Sequence, residues 1–187
     1  MHFYIVFFAL FAVGAGAQNR APQQRYLGQR QHQQLGRSYE QMSQLALAAE
    51  HYIQACLVNA SDIVSYAGAK LCLLKLNELD RLEQFISNLE RYRRDIRYQI
   101  DRADIQYRRG NREKALTAWQ NILDDNTRNR QTYDLLSATL IEHQLYDKAI
   151  GVYLRARKEL DVQHLFRFEI ASLYAQTKDY EKMTEEY

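Results

Sequence analysis

A single proline, Pro22, occurs in this chain of 187 residues, so the 165 residues from Gln23 to Tyr187 contain none. Turn-rich sandwiches and barrels need frequent proline and glycine punctuation, and only seven glycines are present. Two cysteines are too few to staple a small fold, and glycine is too scarce for a collagen repeat. Neither sign of charge dominates. The 25 basic and 23 acidic residues leave a net charge of +2, which does not demand a nucleic acid or a membrane surface as partner. Charge is missing altogether from Met1 to Ala17. What remains is long, proline-free sequence, for which helix is the default, in one domain or one short repeat array at ~100–200 residues per domain.

The uncharged start reads as an address. His2 to Val13 is apolar almost throughout, and Ala15-Gly16-Ala17 offers the small-x-small pattern that a signal peptidase accepts. The run is shorter than the ~20 residues of a bilayer-spanning helix. Residues 1–17 are therefore expected to be a signal peptide cleaved after Ala17, and the mature protein to be exported, periplasmic or secreted. A retained, membrane-tethering anchor is the alternative, because His2 stands where Lys or Arg is usual. Residues 18–28, rich in Gln and Arg, have too few apolar side chains to offset chain entropy and are expected to be a flexible leader.

The remainder repeats. Ala48, Leu82, Ala115, Ala149 and Met183 follow one another at spacings of 34, 33, 34 and 34. A column of small residues, Gly36, Ala69, Ala103, Ser137 and Ala171, precedes that series by 12 or 13 positions. A column of large residues, Tyr52, Ile86, Trp119, Tyr153 and Tyr187, follows it by four. Each period has room for two helices of about 14 residues and a tight turn. "LGRSYEQ" sets Leu35, Gly36 and Tyr39 on one helical face, and the small residue allows a partner helix to approach closely. One pair cannot bury its own apolar face, whereas stacked pairs share a core.

The 34-residue period, the L-G-x-x-Y run at Leu35–Tyr39 and "YDKAIGVYLRA" at Tyr146–Ala156 resemble tetratricopeptide repeats. The resemblance covers residues 29–187, about 4.7 units, divided as 29–62, 63–95, 96–129, 130–163 and an incomplete 164–187. It implies an all-α fold: an α-solenoid of stacked antiparallel helix pairs winding as a right-handed superhelix. The third unit departs most, with Arg102 and Gln106 at positions that are usually large and apolar. The proline that usually ends each unit is absent throughout.

Chemistry is sparse. The five histidines (His2, His32, His51, His143, His164) show no i+3 or i+4 pairing, and no metal-ligand, P-loop, dinucleotide or nucleophile-elbow motif occurs. No catalytic residue, metal or cofactor is expected, and the chain is read as a non-enzyme. Cys56 and Cys72 would lie ~7 Å out of register across a helix turn, which favours two buried thiols over a bridge. Asn59-Ala60-Ser61 is a glycosylation sequon that matters only in a eukaryotic secretory pathway. Between Arg91 and Arg112 there are eight arginines against Asp95, Asp101 and Asp104. Arg91, Arg93, Arg94, Arg97, Arg108 and Arg109 form a candidate anion patch for a polyanion or lipid headgroup. The rival is a solvated helix face with pairs such as Arg91–Asp95 and Arg97–Asp101.

The resemblance places the first helix of each unit along a concave groove that binds peptides. Its positions here run from a basic entrance at Arg37 through Val64, Leu71 and Leu74 to Ile100, Tyr107, Ile141, Leu165 and Phe168. Gln33, Arg37 and Gly68 stand where members that clamp acidic chaperone tails carry Lys and Asn, so that ligand class is disfavoured. An apolar groove suits a peptide or an amphipathic helix of a partner protein, and nucleic acid is not expected. The chain ends at Tyr187, within a second helix, so a longer array or self-association through the uncapped end is also expected. Three functions follow: an exported interaction scaffold, the recruiting region of a longer exported protein, and a polyanion or headgroup binder using the arginine stretch.

Overall fold

The structure, a computed structural model, describes residues 21–186. Among them are ten helices and no strand: α1 (Ala21–Gln41), α2 (Leu45–Val58), α3 (Ile63–Lys75), α4 (Leu79–Glu90), α5 (Ile96–Arg108), α6 (Arg112–Asp125), α7 (Arg130–Glu142), α8 (Tyr146–Leu160), α9 (Arg167–Gln176) and α10 (Tyr180–Glu185). The fold is all-α and tetratricopeptide-like in its helix pairing. The expected signal peptide, residues 1–17, and the cleavage expected after Ala17 lie outside the described residues, as does Tyr187. Helix α1 begins at Ala21, so residues 21–28 are helical where a flexible leader was expected. Gln and Arg are good helix formers, and they need little tertiary support to extend a helix already anchored at its C-terminal end.

The periodic columns are the packed positions. Ala48, Leu82, Ala115 and Ala149 are fully buried, as are Ala69, Ser137 and Ala171 of the small column. Tyr52, Ile86, Trp119 and Tyr153 of the large column are buried too.

The turns explain how the array dispenses with proline. Ser43, Asn77, Gly110, Gln144 and Lys178 all have positive φ, between 56° and 89°, at spacings that match the sequence period. Each sits just past a first helix. In every case the next residue donates its N–H to the carbonyl five positions back, as in Gln44 to Tyr39 and Leu145 to Leu140, while the left-handed residue donates three back. This is the Schellman closure, which satisfies the last carbonyls of the helix. Only one of the five positions is glycine. Gln144→Gly is expected to raise stability by about 0.5–1 kcal/mol in urea unfolding. The left-handed cost of a side chain is ~1–2 kcal/mol, less the ~0.5–1 kcal/mol of extra chain entropy that glycine carries.

The described residues divide into two compact units, one ending at Glu78 and the other beginning at Leu79. In the first, α1 and α2 form an antiparallel pair and α3 packs on both. The ring of Tyr52 lies between Gly36 of α1 and Gly68 of α3, and its hydroxyl donates to Glu40 Oε2 at 2.8 Å. Burial, with the hydrogen bond to Glu40, pushes that phenol well above its usual range. Asp62 caps α3 by accepting from Val64 N and Ser65 N, both at 3.1 Å. It also accepts from Ser65 Oγ at 2.6 Å and Gln29 Nε2 at 2.8 Å, which ties α1 to α3. Burial raises the Asp62 carboxyl, but these donors outweigh it and hold the group below its usual range. Cys56 and Cys72 are both buried free thiols. Burial pushes Cys56 up to about 12, so its sulfur serves as a small hydrophobe.

In the second unit α5–α6, α7–α8 and α9–α10 are antiparallel pairs, with α4 against α5, α7 against α5 and α6, and α9 against α8. Trp119, Tyr133, Leu136, Tyr153, Phe166 and Ile170 are among the residues of its core.

Candidate functional site

A recess in the second unit opens between α7, α8 and α9, with a volume of about 560 Å³. Ile141 comes from the end of α7, Tyr146 and Tyr153 from α8, and Phe168 and Leu173 from α9, while Glu169, Ser172 and Gln176 supply polar groups. The walls follow from helical spacing: Phe168, Ser172 and Gln176 recur every four residues and line one side of α9. Phe168 is 64% exposed, the ring lying beside the Arg167 guanidinium at 5.4 Å. A recess of aromatic walls with a few polar groups has the composition of peptide and ligand sites.

The other groove positions are distributed between the two units. In the first unit Arg37, Val64 and Leu71 are exposed and Leu74 is half-buried. Gly68 does not line a groove, since the Tyr52 ring occupies its free side. Gln33 is drawn to Asp62, its Nε2 at 3.3 Å from both carboxylate oxygens. In the second unit Ile100 is 1% exposed and belongs to the core. Tyr107, Ile141 and Leu165 are half-buried against that core. The Leu165 carbonyl accepts from Arg157 Nε at 2.7 Å, which fixes the α8–α9 connection beside the recess.

The arginine stretch is largely neutralised by the protein's own acids. Arg97 grips Asp95 through Nη2 at 2.5 Å and Nε at 2.9 Å, and Arg93 lies 3.6 Å from the same carboxylate. Arg108 meets Asp104 at 3.0 Å and also Glu142. Arg109 meets Glu83 at 2.6 Å and also Asp80. Arg91 and Arg94 are exposed. The expected Arg91–Asp95 pair does not form on one helix, because Arg91 lies beyond the end of α4 and Asp95 is the N-cap of α5. Its carboxyl is held below the usual range, first by the Arg97 side chain and against the opposing effect of burial. Four of the six arginines therefore have internal partners.

Two histidine contacts escape sequence inspection. His143 Nε2 donates to Asp104 Oδ1 at 2.5 Å, and its ring lies 4.3 Å from that of Tyr107. Asp104 is fully buried and also holds Arg108, so one carboxylate joins α5 to the end of α7. His32 and His51 meet through their Nδ1 atoms at 3.0 Å, with Tyr39 stacked on His51. The partners are 39 and 19 residues apart, so no short-range spacing reveals them. Among the described residues no group of three or more metal-ligating side chains assembles, and no helix is long and apolar enough to cross a membrane.

No protein-family model matches the chain, and no curated protein does. Among solved structures it is similar to YrrB, a TPR protein with an unusual peptide-binding site, at 14% identity over 92% of this chain and 90% of that one, with a TM-score of 0.41. It is similar to PilF of Pseudomonas aeruginosa at 15% identity over 88% and 75% of the two chains, with a TM-score of 0.49. A tetratricopeptide repeat protein of Parabacteroides merdae is 13% identical over 86% of this chain and 77% of its own, with a TM-score of 0.43. The fold assignment rests on this chain's own helix pairs and turns.

Proposed function

We propose that the protein is an exported interaction scaffold that holds an apolar segment of a partner protein, peptide or amphipathic helix, on its first helices. The observation that carries this reading is the α7–α9 recess, where Ile141, Tyr146, Tyr153 and the exposed Phe168 surround a space large enough for side chains of a bound segment. Exposed Val64 and Leu71 present a further apolar surface on α3. Export rests on the uncharged Met1–Ala17 segment. The polar groups of Glu169, Ser172 and Gln176 at the recess suit a segment whose backbone or polar face needs hydrogen-bond partners.

The test is selection of binding segments from a displayed peptide library against the mature protein, followed by titration of the selected peptides. Phe168→Arg is expected to weaken them by at least tenfold, with an unchanged helical circular dichroism signal and melting temperature. Ser172→Trp, which fills the recess without adding charge, should weaken them similarly. Leu71→Arg should weaken any segment that lies along the first unit. Undiminished binding by the folded Phe168→Arg and Ser172→Trp variants would refute the recess as the site.

A further inference from the structure

A second recess lies on the other side of α8. Gly151 and Tyr153 are two residues apart, about 200° around the helix, so they face opposite ways. The Gly151 side opens into a space of about 240 Å³ between α6 and α8, with α7 as its floor. Leu116, Trp119 and Leu123 form one wall and Leu136 and Leu140 the base. All of these belong to the second unit.

Gly151 makes the opening. Glycine is unfavourable in a helix interior, and packing does not require it here: a Cβ at Gly151 would meet no atom within 4 Å. Gly36 and Gly68 are different, since each accommodates the Tyr52 ring. Lys148 and Arg155 stand three residues before and four after Gly151, on the same face, and both border the recess. Arg155 is committed to Asp124 at 2.7 Å and lies 3.9 Å from Glu159. Lys148 is exposed and has no carboxylate within ion-pair distance among the described residues. The recess thus combines an apolar interior with one uncompensated cation at its edge.

We propose that this recess binds a small apolar carboxylate, with its acyl or aryl chain against Trp119 and the leucines and its carboxylate at Lys148. A dry apolar cavity of ~150 Å³ holds benzene, so a space of about 240 Å³ suits a chain of roughly eight carbons. The charge pattern selects the anion, because a neutral or cationic head would leave Lys148 without a counter-charge.

Trp119 is the only tryptophan in the chain, and it lines the recess, so it reports on occupancy. Titration with 8-bromooctanoate should quench its emission saturably, and octanoate should compete. Gly151→Leu should abolish the saturable quenching while leaving circular dichroism and the melting temperature intact, since the new side chain enters empty space. Lys148→Gln should weaken octanoate by about two- to fivefold, the effect of losing one exposed ion pair, and leave octanol affinity unchanged. Phe168→Arg should leave octanoate binding untouched, which separates this site from the partner recess. Linear, non-saturating quenching of the wild type, or full quenching of folded Gly151→Leu, would overturn the proposal.

Discussion

Asp104→Ala is expected to lower the unfolding free energy by about 3–5 kcal/mol, read from urea unfolding followed by circular dichroism. The carboxylate side chain is 1% exposed and accepts from His143 Nε2 at 2.5 Å and Arg108 Nε at 3.0 Å. Alanine removes the carboxylate that accepts from His143, whose side chain is 12% exposed, and strands its ring N–H beside the Tyr107 ring. Arg108 retains Glu142, so its share of the loss is smaller. The cost comes chiefly from stranded donors rather than from the attraction that is lost. The double variant Asp104→Leu/His143→Leu should therefore recover much of the stability, because it removes donor and acceptor together and refills the space with apolar volume. A single-variant loss below about 1 kcal/mol would show that water replaces the carboxylate freely, and would deny the pair its role in joining α5 to α7.

The same cluster marks the limit of what the sequence reveals. Helix pairing was legible because it repeats: Ala48, Ala115 and Ala149 occupy equivalent positions and all are fully buried. Periodicity also located Tyr52, Trp119 and Tyr153 in packed columns. Asp104 and His143 belong to no column, and a hydrogen bond across 39 residues leaves no local spacing to detect. The third unit nevertheless held a hint. Arg102 and Gln106 break its apolar pattern, and Arg102 reaches Glu90 at 2.6 Å, so polar interactions supplement apolar packing around α5. The internal pairing of the arginine stretch was hidden for a related reason. Composition counts charges, whereas Asp80, Glu83 and Glu142, which meet Arg109 and Arg108, lie outside the stretch in sequence. The turns were hidden because four of the five left-handed positions carry Ser, Asn, Gln or Lys in place of the usual glycine. Groove positions were only partly legible. Periodicity assigns a side chain to a helix face, but it cannot tell a half-buried Tyr107 or a core Ile100 from an exposed Phe168.

Gly68→Ala should destabilise the protein by up to about 2 kcal/mol, although alanine is the better helix former. Its Cβ would stand 2.6 Å from Tyr52 Cε2 and 2.7 Å from Cδ2 and Cζ. The ring has little room to retreat, because Gly36 lies so close to its opposite edge that even a Cβ there would stand 2.7 Å from Cδ1 and Cε1, and the hydroxyl is held by Glu40. Overpacking typically costs ~1–3 kcal/mol against the ~1 kcal/mol that alanine gains over glycine in a helix. The clash wins only while the ring is confined. In a Tyr52→Leu background the aromatic atoms are gone, so Gly68→Ala should become neutral or stabilising, giving a coupling of about 1–3 kcal/mol in the double-mutant cycle. Gly151→Ala supplies the control. There a Cβ meets nothing within 4 Å, and the full gain of ~1 kcal/mol should appear with or without Tyr52. Equal effects of Gly68→Ala in both backgrounds would show that α1 and α3 separate easily. Tyr52 would then not be the wedge that sets their spacing, and the glycines at 36 and 68 would need another explanation.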